Sequence, residues 1–211
     1  YDVDLDASCV AVSSDGEIGG IGMLGVRGDR PWITRLGVIP SERRRGTGQF
    51  LMSELIRASK QLGARLIQLE VIKGNTPAEQ LFIKNHFQAI RELLVIRRPP
   101  HAPENRGEWA GASASPLTMQ EIHDFLVETT GNVTWIEDYR SLENAGSLKG
   151  LYVELPNGIG GRIVYRHSVF QLTHFQMEWT AREVPLLAQA MLYHIHQQNR
   201  VQDTKIQNGS A

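Results

Sequence analysis

Val38-Ile39-Pro40-Ser41-Glu42-Arg43-Arg44-Arg45-Gly46-Thr47-Gly48 stands between two segments of opposite periodicity. Ahead of it, Arg30 to Val38 is rich in β-branched and aromatic residues, which predicts a strand. Behind it, Phe50, Leu51, Leu55, Ile56 and Leu62 recur at helical spacing. Three arginines and two glycines therefore open a helix. The first turn of a helix leaves N–H groups without intrahelical partners, and its dipole favours negative charge. Glycine lets the backbone approach a ligand closely, and the arginines add positive charge. The segment is suited to a phosphate group.

The loop is neither the GxGxxG of a dinucleotide fold nor a Walker loop with its Lys-Ser/Thr ending. Downstream, Arg65 to Ile72 predicts a short apolar strand, and Lys73 to Pro77 a turn. Asn75 or Thr76 can cap the helix that follows, with Pro77 in its first turn and Ala78 to His86 as its body. Together the segments resemble the GNAT acetyltransferases. Arg43 to Gly48 resembles that family's R-x-x-G-x-G pyrophosphate loop, with V-x-P just upstream. Leu69, Glu70, Val71, Asn75, Ala78, Leu81 and Phe87 match its pattern L-E-V-x-x-x-N-x-x-A-x-x-L-Y-x-x-x-G-F. Phe82 stands where the family usually has tyrosine, and His86 where it usually has glycine.

The resemblance covers roughly residues 8 to 98, so residues 1–98 are read as a GNAT-like domain of α/β (α+β) class. It implies a mixed, mostly antiparallel twisted sheet flanked by helices. It also implies acetyl-CoA as co-substrate and transfer of its acetyl group to a small-molecule or peptide amine. The backbone of Leu36, Gly37 and Val38 would pair with the pantetheine arm. Arg43, Arg44, Arg45, Gly46, Thr47 and Gly48 would hold the pyrophosphate, and Asn75 would approach the pantetheine or cysteamine end. Glu70 matches the strand glutamate that serves some members as general base. Such a base works best with its pKa moved upward by partial burial. Phe82 has no proton to give a leaving thiolate, so a slow enzyme is expected, and Phe82→Tyr should preserve or raise its rate.

Lys plus Arg number 22 against 23 Asp plus Glu, so no global field favours nucleic acid or an anionic membrane. No nucleic-acid motif, signal peptide or run of membrane-spanning length is visible. The single cysteine, Cys9, lies in an apolar run and reads as a small core residue. One cysteine allows no internal disulfide, which points to a reducing, cytoplasmic setting. The first residue is tyrosine, and only about seven residues precede the first predicted strand. The initial strand and two helices that the resemblance implies are therefore expected to be absent or lost.

Strands are predicted near Ser8–Ser13, Gly19–Arg27, Trp32–Val38 and Ala89–Arg98, with Asp15-Gly16 as a hairpin turn. Residues 99–116, rich in Pro, Gly, Ala and Ser, read as a linker. Beyond it a second, smaller α/β domain is expected over 117–199. Its predicted helices are Leu117–Thr129, Ile136–Ala145 and Glu183–Gln198, and its strands Gly150–Leu155, Arg162–His167 and Phe170–Trp179. Residues 200–211 read as a polar, frayed tail. This half carries a faint repeat of the first. Val12 to Gly20 aligns with Leu155 to Gly161 across a short gap, and Thr34–Val38 with Thr173–Met177. Where the first copy has the arginine loop, the second has Thr180-Ala-Arg-Glu-Val-Pro185. A tandem GNAT-like protein with a degenerate, cofactor-free second domain is one reading of this. Chance matching around a Gly-Gly hairpin is the other.

No metal site is expected. His194 and His196 are two apart and fall on different faces of a helix, and His167 and His174 lack ligand partners at suitable spacing. Trp135 and Trp179 read as core aromatics. Two functions from different classes follow: an N-acetyltransferase, favoured by Glu70, and a non-catalytic acyl-CoA-binding or assembly module, favoured by Phe82. Pairing into a homodimer is left open, and the sequence does not name the acceptor.

Overall fold

The computed structural model describes residues 2–103, 111–129, 134–178 and 184–208. The chain divides into two compact units, Tyr1–Ile90 and Arg91–Ala211. Among the described residues no helix is long and apolar enough to cross a membrane.

In the first unit, β1 (Val3–Val12), β2 (Ile18–Gly25) and β3 (Trp32–Val38) form an antiparallel meander. Helix α1 (Thr47–Gln61) crosses over, and the two-residue β4 (Gln68–Leu69) then pairs parallel with the start of β3, before α2 (Thr76–Lys84). Leu51, Met52 and Leu55 of α1 are fully buried, the last two in one cluster with Leu24, Ile33 and Phe82. Each such side chain contributes about 1.5–3 kcal/mol by leaving water. The predicted strand Arg65–Ile72 shrinks to two residues because only Gln68 and Leu69 meet β3, at Trp32 and Ile33. Past that point the two strands no longer pair.

The second unit is larger than the first, contrary to expectation. Its sheet runs β5 (Leu94–Arg98), β10 (Asp203–Asn208), β9 (Gln171–Met177), β8 (Gly160–His167), β7 (Leu148–Glu154), β6 (Ser113–Pro116). Helices α3 (Met119–Glu128) and α4 (Tyr139–Ala145) cover one face, around Val164. Helix α5 (Val184–Gln198) covers the other through Leu187, Ala190, Met191 and Ile195. Thr118 and Glu121 close a capping box on α3, and Asp138 accepts from the Arg140 N–H at 3.0 Å to start α4. Because Asp138 caps there, the helix expected from Ile136 begins later, behind a 3-10 turn at Trp135–Glu137.

Three expected boundaries change. The strand at Leu94–Arg98 belongs to the second sheet, paired antiparallel with β10, so the units part near residue 90 and not 98. Ser113–Pro116, expected in the linker, is the edge strand β6 on β7. The tail expected to fray holds β10, between β9 and β5. Its polar side chains are bonded inside the fold: buried Thr204 to His196, and Asp203 to Gln171.

The faint repeat has a structural counterpart. Each unit runs hairpin, third strand, a helix of 15 residues, then a strand parallel to the third. The hairpin turns bond alike: Ser13 N–H to Glu17 O and Gly16 N–H to Ser13 O, against Leu155 N–H to Ile159 O and Gly158 N–H to Leu155 O. Gly16 and Gly158 take φ of +84° and +82°, which only glycine adopts freely. These bonds set Ser13 on Leu155, and the one residue by which Ser13–Gly20 exceeds Leu155–Gly161 is a β-bulge: Ala11 pairs with Gly20 but Val12 with Ile18, leaving Gly19 as the extra residue. Trp179 and Thr180 to Glu183, where the second copy departs from the arginine loop, lie outside the described residues.

His196 is buried with Nε2 2.9 Å from the Thr204 hydroxyl. Burial first, then the charge of Arg98, pushes its pKa from 6.5 down to about 4. The unfolded chain takes up this proton near pH 6.5 and the folded chain only near 4. Stability therefore falls as pH falls through that window. The urea midpoint should drop between pH 7 and pH 4.5, and His196→Gln should flatten that dependence, as measured by circular dichroism.

Candidate active site in the first unit

The opening between β3 and β4 organises the site. Ile39 N–H bonds to Gly19 O at 3.0 Å, and strand alternation then turns the backbone groups of Gly37 toward Ile21 on β2. Leu36 and Val38 consequently present theirs on the opposite edge, beyond the last β3–β4 pair at Ile33 and Leu69. Of the three residues expected to meet an extended ligand, Gly37 is therefore the exception. A bulge near Thr34, where Met23 pairs with Arg35 but Leu24 with Ile33, sets this phase.

The arginine loop follows. Pro40–Glu42 is a 3-10 turn, and Arg44 and Gly46 both take left-handed φ, 62° and 92°. Gly46 is the N-cap of α1, with no side chain bonded across it. Phe50 N–H is the first to find a helical acceptor, at Gly46 O, so the N–H groups of Thr47, Gly48 and Gln49 form the open first turn. Two arginines are already engaged. Arg43 Nε donates to the Val38 carbonyl at 3.2 Å, and Arg45 meets Glu42 at 3.4 Å. Arg43, Arg44 and Arg45 are exposed.

Gly48 serves packing. A Cβ there would stand 3.3 Å from Leu81 Cδ2 and 3.8 Å from Val38 Cγ2, so the end of β3, the start of α1 and the middle of α2 converge on it. Gln49 and Asn85 tie α1 to α2 by a 2.8 Å hydrogen bond, a contact that sequence pattern did not reveal. Farther along α1, a hollow of about 320 Å³ is lined by Ser53, Ile56, Arg57, Lys60 and Asn85. Cys9 is half-buried, and burial is the first cause raising its thiol pKa, which suits an unreactive core residue.

Glu70 comes directly after Leu69, the first residue past the parting of the strands, and it is exposed. The partial burial expected of a base is not found there. Asn75 is the N-cap of α2, though its side chain makes no capping bond; its carbonyl accepts from Ala78 and Glu79 N–H, both at 3.0 Å. Phe82 is 8% exposed and sits in the core, its ring centroid 6.2 Å from that of Phe87. It faces the hydrophobic cluster, and a hydroxyl added there would need a partner inside it.

Residues 1–87 match the acetyltransferase (GNAT) family. The first unit is similar to GNAT domains. No curated protein matches the chain. Among solved structures, a GCN5-related N-acetyltransferase from Sphaerobacter thermophilus is 17% identical with a TM-score of 0.67, over 94% of this chain and 70% of that one. A tandem GNAT protein from the clavulanic acid biosynthesis pathway is 13% identical with a TM-score of 0.59, over 96% of this chain and 75% of that one. At these identities the likeness is one of fold, and it extends through the second unit.

The GNAT pattern also accounts for an irregularity at the end of α2. His86, where glycine is usual, has φ of 66°. A residue with a Cβ pays about 1–2 kcal/mol for that conformation. His86→Gly should accordingly raise unfolding stability by roughly 1 kcal/mol, read from the shift in urea midpoint at constant m-value.

Proposed function

We propose that the first unit transfers an acetyl group from acetyl-CoA to an amine. The observation that carries this is the open first turn of α1, set by left-handed Gly46 beside the free edge of β3. Pyrophosphate would take the N–H groups of Thr47 to Gln49, with the arginines screening its charge. The pantetheine arm would lie along Leu36 and Val38, adding to β3 as a strand would. Its thioester end would then enter the opening where Glu70 stands. Glu70 takes a proton from the substrate ammonium. The freed amine attacks the thioester carbonyl, a C–N bond forms, the C–S bond breaks, CoA leaves as the thiolate, and the extra proton on the new amide nitrogen passes to water or to that thiolate. Phe82, enclosed in the core, has no part in proton transfer. A second reading, a CoA-binding module without chemistry, draws on that same missing acid and on the exposure of Glu70.

Gly46→Val forces a β-branched residue into the left-handed region. No atom lies within 4 Å of a Cβ built there, so the damage is to the loop's path and not a clash. A conformational cost of 1–2 kcal/mol predicts a roughly 5- to 30-fold loss of CoA affinity by calorimetry. Replacing any single exposed arginine should cost less, about fivefold at most. Unchanged affinity in Gly46→Val would remove the phosphate site from this loop.

Glu70→Gln should lower turnover by more than roughly tenfold while leaving CoA affinity intact, measured by thiol release with a panel of amines, amino acids and peptides. Full turnover in that variant means another group is the base. Tight CoA binding with no thiol release for any amine favours the second reading.

A further inference from the structure

On the third strand of the second sheet, three features meet that do nothing for the fold. A bulge lies between Thr173 and Gln176, opposite Arg166 and Val164, and within it His174 takes a left-handed φ of 56°. Its Nδ1 lies 2.7 Å from the Thr173 hydroxyl, yet its Nε2 is enclosed with no hydrogen-bond partner among the described residues. Cations flank it on both neighbouring strands. Arg166 of β8 is in register with Thr173, and Lys205 of β10 follows Thr204, the partner of Leu172. Strain and an unanswered ring nitrogen would each be removed by a less demanding residue at position 174.

The surroundings favour a ligand in this place. β9 and β10 cease to pair after Leu172 and Thr204, although β10 stays paired with β5 as far as Asn208 and Leu94. The second sheet thus opens where the first opens between β3 and β4. Half-buried polar side chains stand at the flanking strand positions: Thr173 and Gln176 on β9, Arg166 on β8 and Lys205 on β10. The 3-10 turn ahead of α4 closes the side through Gln176, whose amide donates to the Glu137 carbonyl at 3.3 Å. Glu137 is itself buried, its carboxylate accepting from the Thr134 hydroxyl at 3.2 Å. From the end of α4, the Ala145 carbonyl accepts from Arg166 Nε at 3.4 Å.

We infer that this opening binds a small carboxylate, whose oxygen accepts from His174 Nε2–H and whose charge answers Lys205 and Arg166. With the Thr173 hydroxyl donating to Nδ1, the neutral ring carries its proton on Nε2 and points a donor into the site. A carboxylate offers two acceptors and one negative charge, which matches one N–H and cations on either side. Chloride matches the charge but not the paired acceptors. Burial first, then Arg166 and Lys205, pushes the His174 pKa from 6.5 down to about 4, so the ring is neutral near pH 6. A bound anion stabilises the imidazolium and draws that value upward.

The test uses the full chain labelled with ¹³C at histidine Cε1, titrated with sodium acetate at pH 6 and, separately, with sodium chloride at equal ionic strength. Acetate should shift the His174 resonance saturably and raise its titration midpoint by about one unit or more, while chloride leaves it in place. Lys205→Met should weaken acetate binding at least roughly tenfold, with the remaining histidine resonances unmoved as a check on folding. The inference is overturned if acetate and chloride act alike, if all histidines shift together, or if Lys205→Met binds acetate as the parent does.

Discussion

The contact on which the first unit depends is that of α1 with the bare backbone of β2. A Cβ on Gly20 would stand 2.8 Å from the Gly37 carbonyl oxygen and 2.9 Å from Leu51 Cδ1, and one on Gly22 would stand 2.9 Å from Leu55 Cδ1. The helix can lie this close only because two inward positions of the strand carry no side chain. That approach fixes where α1 begins, and so holds the open first turn beside the free edge of β3. The chemistry of the loop rests on a packing condition on the neighbouring strand. The second unit repeats the device at Gly161, where a Cβ would meet Leu187 and Met191 of α5 at 3.1 and 3.2 Å.

The two units share a frame and differ in how it is dressed. In the second, α3 and α4 bury Val164 on the face opposite α5. On the corresponding face of the first sheet, Val10 and Ile21 are 50% and 41% exposed. Arg162 locks the second unit on its helix-covered face. Its guanidinium meets Glu178 and Glu128, each at 2.9 Å, and stacks 5.0 Å above the Phe125 ring, which raises its pKa and ties β8, α3 and the end of β9 together. Phosphate is the expected visitor to the first frame, whereas cations gathered around a neutral histidine mark the second.

Much of the fold was legible because apolar spacing is a strong signal where one face of an element is buried. Helix α1 and strand β3 fall where Leu51, Leu55 and the run from Trp32 predicted them. β10 was hidden because its stabilising groups are polar: Thr204, Asp203 and Lys205 make a strand that alternation of apolar residues cannot reveal. The arginine loop stood out because glycines and cations before a helix have few structural uses. What sequence could not supply was phase. The bulge near Thr34 decides that Leu36 and Val38, not Gly37, face the opening, and one extra residue in a strand leaves no compositional trace. The exposure of Glu70 and the enclosure of Phe82 were likewise matters of packing. A Gly-Gly pair within a predicted strand, as at Gly19-Gly20, was the one available hint of close approach.

The placement of β5 sets the order in which the protein can be completed as it is made. Its residues leave the ribosome soon after the first unit, yet their hydrogen-bonding partners in β10 are synthesised about 100 residues later. Until then Leu94, Val95 and Ile96, exposed even in the finished fold, form an unpaired apolar ribbon. Arg97 and Arg98 follow directly, and charge at the end of such a ribbon discourages association with other nascent chains. The second unit is therefore clasped shut by its ends, and β10 must be made before it can close.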